Sequence, residues 1–180
     1  GKLPFSFPAK LTDCGAHAFD ELSYPGDSIK QEYKEDILVG YRWHDTKKIP
    51  ALFPFGHGLS YTTFTYGKPV ASAKTMAADG TLTVTVAVKN TGSIAGKEIV
   101  QLYVGDDKCS VLRPVKELKH FAKVALAPGE EKSVTFTLTP DDLKFYDEAS
   151  AAWKYEPGKF KAYVCASSAD VRGVVSFEMQ

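Results

Sequence analysis

The sequence predicts an all-β fold: an antiparallel β-sandwich of the fibronectin-III/Ig-like kind, preceded by an extended, mostly irregular N-terminal arm. Three observations predict it. From Phe64 onward apolar and polar residues alternate with period two. Turn signals interrupt that alternation about every 8 to 12 residues, as a sandwich requires. Before residue 60, X-Pro steps crowd the chain and no helical or strand period is sustained.

The arm comes first. Leu3-Pro4, Phe7-Pro8, Tyr24-Pro25-Gly26, Ile49-Pro50 and Phe53-Pro54 each push the residue before proline toward an extended conformation. The segment still carries large apolar groups, among them Phe5, Phe7, Phe19, Tyr33, Trp43, Phe53 and Phe55, which a free linker would expose to water at a cost. It is therefore expected to lie on another surface rather than build its own core, since about 60 residues bury too little area. The run Ile37 to Tyr41 reads as one short buried strand.

Strands follow. Leu82, Val84, Val86 and Val88 share one face and Thr81, Thr83 and Thr85 the other, until Asn90-Thr91-Gly92 turns the chain. Val100, Leu102 and Val104 alternate with Ile99, Gln101 and Tyr103, so this strand is apolar on nearly both sides and should be central. Further strands are expected near 64, at 118–126, 133–138, 153–155, 159–165 and 171–177, with Pro128-Gly129 and Pro157-Gly158 as turns and a single helical turn after Pro140. That makes about seven or eight strands in roughly 115 residues, the number such a sandwich needs. The expected core is Val84, Val86, Val88, Val100, Leu102, Leu126, Phe136, Leu138, Tyr163 and Val164. Trp153 and Tyr155 are read as core or edge packing.

Composition narrows the function classes. With 22 basic and 22 acidic residues, the chain has no positive field for phosphate or anionic lipid, so neither nucleic acid nor membrane is an expected partner. No apolar run approaches the roughly 20 residues that span a bilayer. Cys14, Cys109 and Cys165 are odd in number and widely spaced, which fits free thiols better than a disulfide framework. His17, His44, His57 and His120 lack the close pairings of zinc sites, and no metal or cofactor is expected.

Residues 52 to 62, LFPFGHGLSYT, resemble the segment that closes the second catalytic domain of family 3 glycoside hydrolases, the β-glucosidase and β-xylosidase family. GKLPFSFP at residues 1 to 8 and EDILVGYRWHD at 35 to 45 are similar to the family's GKLPFTFP and EGIFVGYRYYD in the same order. Asn90-Thr91-Gly92, VQLYV at 100 to 104, RPVKEL at 113 to 118 and Phe145-Tyr146-Asp147 resemble its fibronectin type III-like domain. The resemblance implies that 1–62 is the tail of the second catalytic domain plus a linker, and 63–180 the fibronectin type III-like domain. It also implies that the aspartate nucleophile and glutamate acid/base precede this chain. The catalytic domains upstream would then be its partners, and periplasmic and secreted parents are both compatible with it.

No catalytic residue is therefore expected here. Glu32, Glu35 and Asp36 crowd beside Lys30 and Lys34 and read as a solvated charged turn; Asp141 and Asp142 read as helix-start residues. His57, between two glycines, reads as a hydrogen-bonded element of its loop, and Arg113 as a partner for a carboxylate. Sugar contact, by stacking of a ring on a pyranose, falls to Trp43, Phe53 and Phe55 as candidates, against the alternative that they anchor the arm at about 2 to 3 kcal/mol each. The competing function is a free-standing module that binds carbohydrate or protein. β-Linked oligosaccharide and self-association through the arm complete the expected partners.

Overall fold

The computed structural model describes all 180 residues. In the arm, β1 (Phe7–Pro8) pairs antiparallel with β2 (Ala51–Phe53), and between them lie two 3-10 turns and one short helix, α1 (Tyr41–Lys47). The strand expected at Ile37 to Tyr41 is absent. Gly40 takes φ +61°, which breaks an extended path, and only Leu38 of the apolar run is buried while Ile37 and Val39 face outward.

The remaining strands are β3 (Phe64–Tyr66), β4 (Val70–Ala71), β5 (Thr75–Met76), β6 (Leu82–Asn90), β7 (Gly96–Asp106), β8 (Glu117–Leu126) and β9 (Glu131–Leu138). After α2 (Pro140–Leu143) come β10 (Phe145–Asp147), β11 (Ala152–Lys154), β12 (Gly158–Ser167) and β13 (Asp170–Met179). One sheet has the order β5-β13-β12-β7-β8. In the other, β6 has β9 along one edge, and β3 and β4 in succession along its opposite edge. All pairings are antiparallel except β5 with β13. The strands number more than expected because the edges are built from pieces of two or three residues, too short to show a period.

The core lies between the sheets. Leu82, Val84, Val86 and Val88 of β6 meet Val100, Leu102 and Val104 of β7 and Phe160, Ala162 and Val164 of β12, closed by Met76, Leu126, Leu138, Leu143 and Met179. Nine of the ten expected core residues are there. Tyr163 is the exception and is half-buried. Neighbours on a strand face opposite ways, so Tyr163 and Val164 could not both point inward. The threonine face of β6 behaves as its pattern indicates, with the Thr85 and Thr135 hydroxyls 2.8 Å apart across β6 and β9.

Two polar devices close the ends. Asn90 is fully buried, yet its Nδ2 donates to the carbonyls of Ile94 (2.8 Å) and Leu126 (3.1 Å), while its Oδ1 accepts from the Thr62 hydroxyl (2.6 Å) and the Gly92 N–H (3.0 Å). Every donor and acceptor of the amide is used, which removes the penalty of burying it. At α2, the Asp142 carboxylate accepts from the Thr139 N–H at 2.8 Å and from its hydroxyl at 3.1 Å, giving the expected helical turn a closed start.

Candidate functional site

The outer face of the five-stranded sheet carries the chain's most unusual burial. Gln101 and Tyr103 of β7 and Cys165 of β12 point away from the core, yet all three are buried. The arm covers them. Tyr41 of α1 packs edge-on against Tyr103 (ring centroids 5.6 Å) and lies 4.9 Å from Phe55. Gln101 Nε2 donates to the carbonyls of Ala166 (2.9 Å) and Gly56 (3.4 Å), and its Oε1 accepts from the Tyr103 hydroxyl at 2.6 Å. Burial pushes the Cys165 thiol up to about 12 against the opposing pull of Lys116, and lifts the Tyr103 phenol as well. Neither group ionises at neutral pH.

Charged latches surround this patch. Lys116 Nζ donates to Asp45 Oδ2 at 2.7 Å with both side chains nearly buried, and burial holds the Asp45 carboxyl above its usual range despite that partner. Lys2 reaches Glu98 (3.0 Å) and the Ala166 carbonyl (3.1 Å). The Leu118 N–H donates to the Tyr41 hydroxyl (2.9 Å), the Val115 N–H to Thr46 Oγ1 (3.1 Å), and the Ser168 N–H to the Phe55 carbonyl (2.8 Å). Gly56 sits at the centre with φ +79°, and a β-carbon there would run into the Gln101 amide. Gly56→Ala is expected to cost about 2 kcal/mol or more, from left-handed strain and this clash together. Urea denaturation measures the loss; an unchanged midpoint would show that the arm does not depend on this close approach.

The residues singled out from sequence separate here. Trp43 is 5% exposed; its Nε1 donates to the Asp13 carbonyl (3.1 Å), Phe19 packs edge-on against it, and Lys47 lies over its ring. Phe55 is half-buried against Tyr41. Phe53 alone of the three stays open, 41% exposed on β2 and edge-on to Phe7. The His57 loop is pinned by backbone, through Leu3 N–H to the His57 carbonyl (2.8 Å) and His57 N–H to the Pro54 carbonyl (3.0 Å), while the imidazole lies 5.4 Å from the Phe53 ring. Trp153 departs from the expected packing: it is 65% exposed. Arg113 is nearly buried and donates to Glu117 (3.0 Å), Asp106 (3.5 Å) and the Leu143 carbonyl (3.0 Å).

Several of the carboxylates are held by cations or donors. Glu32 sits between Lys30 and Lys34, which lower its pKa. Glu35 departs from the exposed turn expected of it, because its Oε2 is buried without a hydrogen-bond partner. One pair is close: ligand atoms of Asp106, Cys109 and Glu156 lie within 4.8 Å of one another, a grouping that sequence spacing does not reveal because Glu156 comes from a distant strand connection. Retaining glycoside hydrolysis places two carboxyls about 5 to 5.5 Å apart, one of them kept protonated. Asp106 accepts from the Lys108 N–H and from Arg113, and Glu156 takes both the hydroxyl and the N–H of Ser110, which draw its pKa down. Glu156, held ionised by Ser110, is not arranged to give up a proton at neutral pH.

Residues 98–168 match the fibronectin type III-like domain family. Along 99% of its length the chain is 68% identical to β-glucosidase BoGH3A of Bacteroides ovatus, and along 95% it is 50% identical to thermostable β-glucosidase B of Acetivibrio thermocellus. All of it superposes on DesR, a β-glucosidase of Streptomyces venezuelae solved with D-glucose, at TM-score 0.91 and 41% identity, and 99% on the GH3 β-glucosidase of Bifidobacterium adolescentis at TM-score 0.90 and 36% identity. This chain belongs to glycoside hydrolase family 3. It spans 24% and 22% of the two curated relatives and 23% and 26% of the two structures. Within such enzymes it is the C-terminal portion that carries the fibronectin type III-like domain.

Proposed function

We propose that this family 3 chain is a non-catalytic part of a retaining β-glycosidase, with residues 1–62 completing the second catalytic domain and residues 63–180 bracing it. The observation that carries the reading is the match along the whole chain to only about a quarter of each β-glucosidase. The arm gives it a physical form. Its inner side is latched to β7 and β12, while Phe5, Phe7 and Phe53 on and beside the β1–β2 ribbon are 41 to 49% exposed and packed on one another. Aromatic groups clustered in this way are stabilised by a covering surface, and the catalytic domains of the parent are the occupant this reading supplies. On the isolated chain the same ribbon is where two copies would associate, and Phe53 is the ring left for a β-linked sugar.

The test is turnover. Purified chain is expected to release no aryl alcohol from aryl β-glucosides or β-xylosides under conditions where the longer β-glucosidase does. Turnover that survives purification and disappears in Glu35→Gln, Asp36→Asn or Glu156→Gln would place a working acid/base pair in this chain and sink the reading.

A further inference from the structure

The largest concavity of the chain adjoins the latched patch, where the arm, the 111–114 loop and the β10–β11 ribbon meet. It is a cleft of about 880 Å³. Tyr146 and Trp153 stand directly opposite each other on the ribbon, with rings 5.7 Å apart at 71°, 51% and 65% exposed, and both line the cleft. The ribbon beneath them is fixed: Phe145 is buried under the Arg113 guanidinium, and Asp147 accepts from the Ser150 N–H at 3.0 Å and from Lys154 at 2.8 Å. The facing wall is polar. Glu117 accepts from Arg42 (3.1 Å) and Arg113 (3.0 Å), with Lys119 3.6 Å away, and these cations hold its carboxyl ionised.

We propose that this cleft binds an uncharged β-linked oligosaccharide. The inference rests on the reading that the parent acts on β-glycosides; the surface chemistry selects the ligand class. Two rings on a rigid ribbon offer apolar faces to the C–H faces of pyranoses. Opposite them, the Arg42 guanidinium, 39% exposed and already oriented by Glu117, presents donors to hydroxyls without further ordering. The charged residues lining the cleft are four basic and four acidic, with Glu117 and Asp147 each paired to a cation, so nothing in it favours an ionic ligand. The volume lies within the range of ligand clefts.

The two tryptophans make the experiment specific, because Trp43 is buried and only Trp153 can report on the cleft. Cellotetraose titrated into the 180-residue chain is expected to protect tryptophan emission from acrylamide quenching and to give a saturable calorimetric isotherm. Trp153→Ala should weaken binding at least about tenfold, with circular dichroism unchanged, and Tyr146→Ala should weaken it less. Trigalacturonate, an acidic oligosaccharide, should not bind. The proposal is overturned by no response at tens of millimolar cellotetraose, by a response that survives Trp153→Ala, or by equal binding of trigalacturonate. It is also overturned if Trp153 is already shielded from quencher in the longer β-glucosidase without sugar, which would make the rest of the enzyme the occupant. None of these results bears on the turnover assay, which decides the non-catalytic reading separately.

Discussion

Lys116→Met is expected to cost about 3 to 5 kcal/mol of folding stability near neutral pH, far more than loss of a surface ion pair. Its ammonium is paired to Asp45 at 2.7 Å where side-chain exposure is 9% and 12%, so the substitution strands a carboxylate with little water. The pH dependence follows from the direction of the Asp45 shift. Burial raises its folded pKa above the unfolded value. A raised carboxyl favours the folded state at low pH, and that contribution is lost as pH rises through the raised value. Without Lys116 the carboxyl is raised further, so the variant's deficit should be largest near neutrality and shrink as the pH falls into the carboxylate range. The double variant Lys116→Met, Asp45→Leu should recover most of the loss, because apolar replacements remove both desolvation costs. Urea denaturation at the two pH values measures all of this; a single-variant cost below about 1 kcal/mol would mean that the latch is solvated.

Phe160→Ala is expected to cost a further 3 to 5 kcal/mol or so, by lost transfer free energy and a cavity that neighbours cannot fill. Phe160 is 1% exposed on β12, between β13 and β7, and its ring stacks 5.7 Å from Phe177 at 20°. Phe121 supplies the contrast. It lies on the outer edge strand β8 and is 70% exposed, so Phe121→Ala should stay within about 0.5 kcal/mol of the parent. Equal losses at the two positions would contradict the two-layer core described above.

These contrasts indicate what could be read from the sequence. Period two on β6 and β7 identifies core faces because each strand is long enough to show it and the two faces differ in chemistry. The Ile37 to Tyr41 run misleads for the opposite reason: five residues cannot distinguish strand from turn and helix start, and the left-handed Gly40 decides the matter. Tyr163 was assignable to the outer face from alternation with Val164 alone. The latched patch was not legible. Gln101 meets Gly56, Lys116 meets Asp45 and Leu118 meets Tyr41 across sequence separations of 45, 71 and 77 residues, which no local spacing encodes. Family resemblance located the arm's motifs, but geometry was needed to show Trp43 buried and Trp153 open.

The latch also sets an order of events during synthesis. The arm leaves the ribosome before the sandwich does, but its acceptor surface needs both β7 and β12, and the Ser168 N–H that holds Phe55 comes 113 residues after it. At ribosomal speeds that interval is on the order of ten seconds. Phe55, Tyr41 and Gly56 cannot reach their final partners during that time, and the sheet must close before the arm can dock. Non-local closure of this kind is slow. The arm's aromatic residues are therefore open to chaperones and to other apolar chain segments throughout that interval.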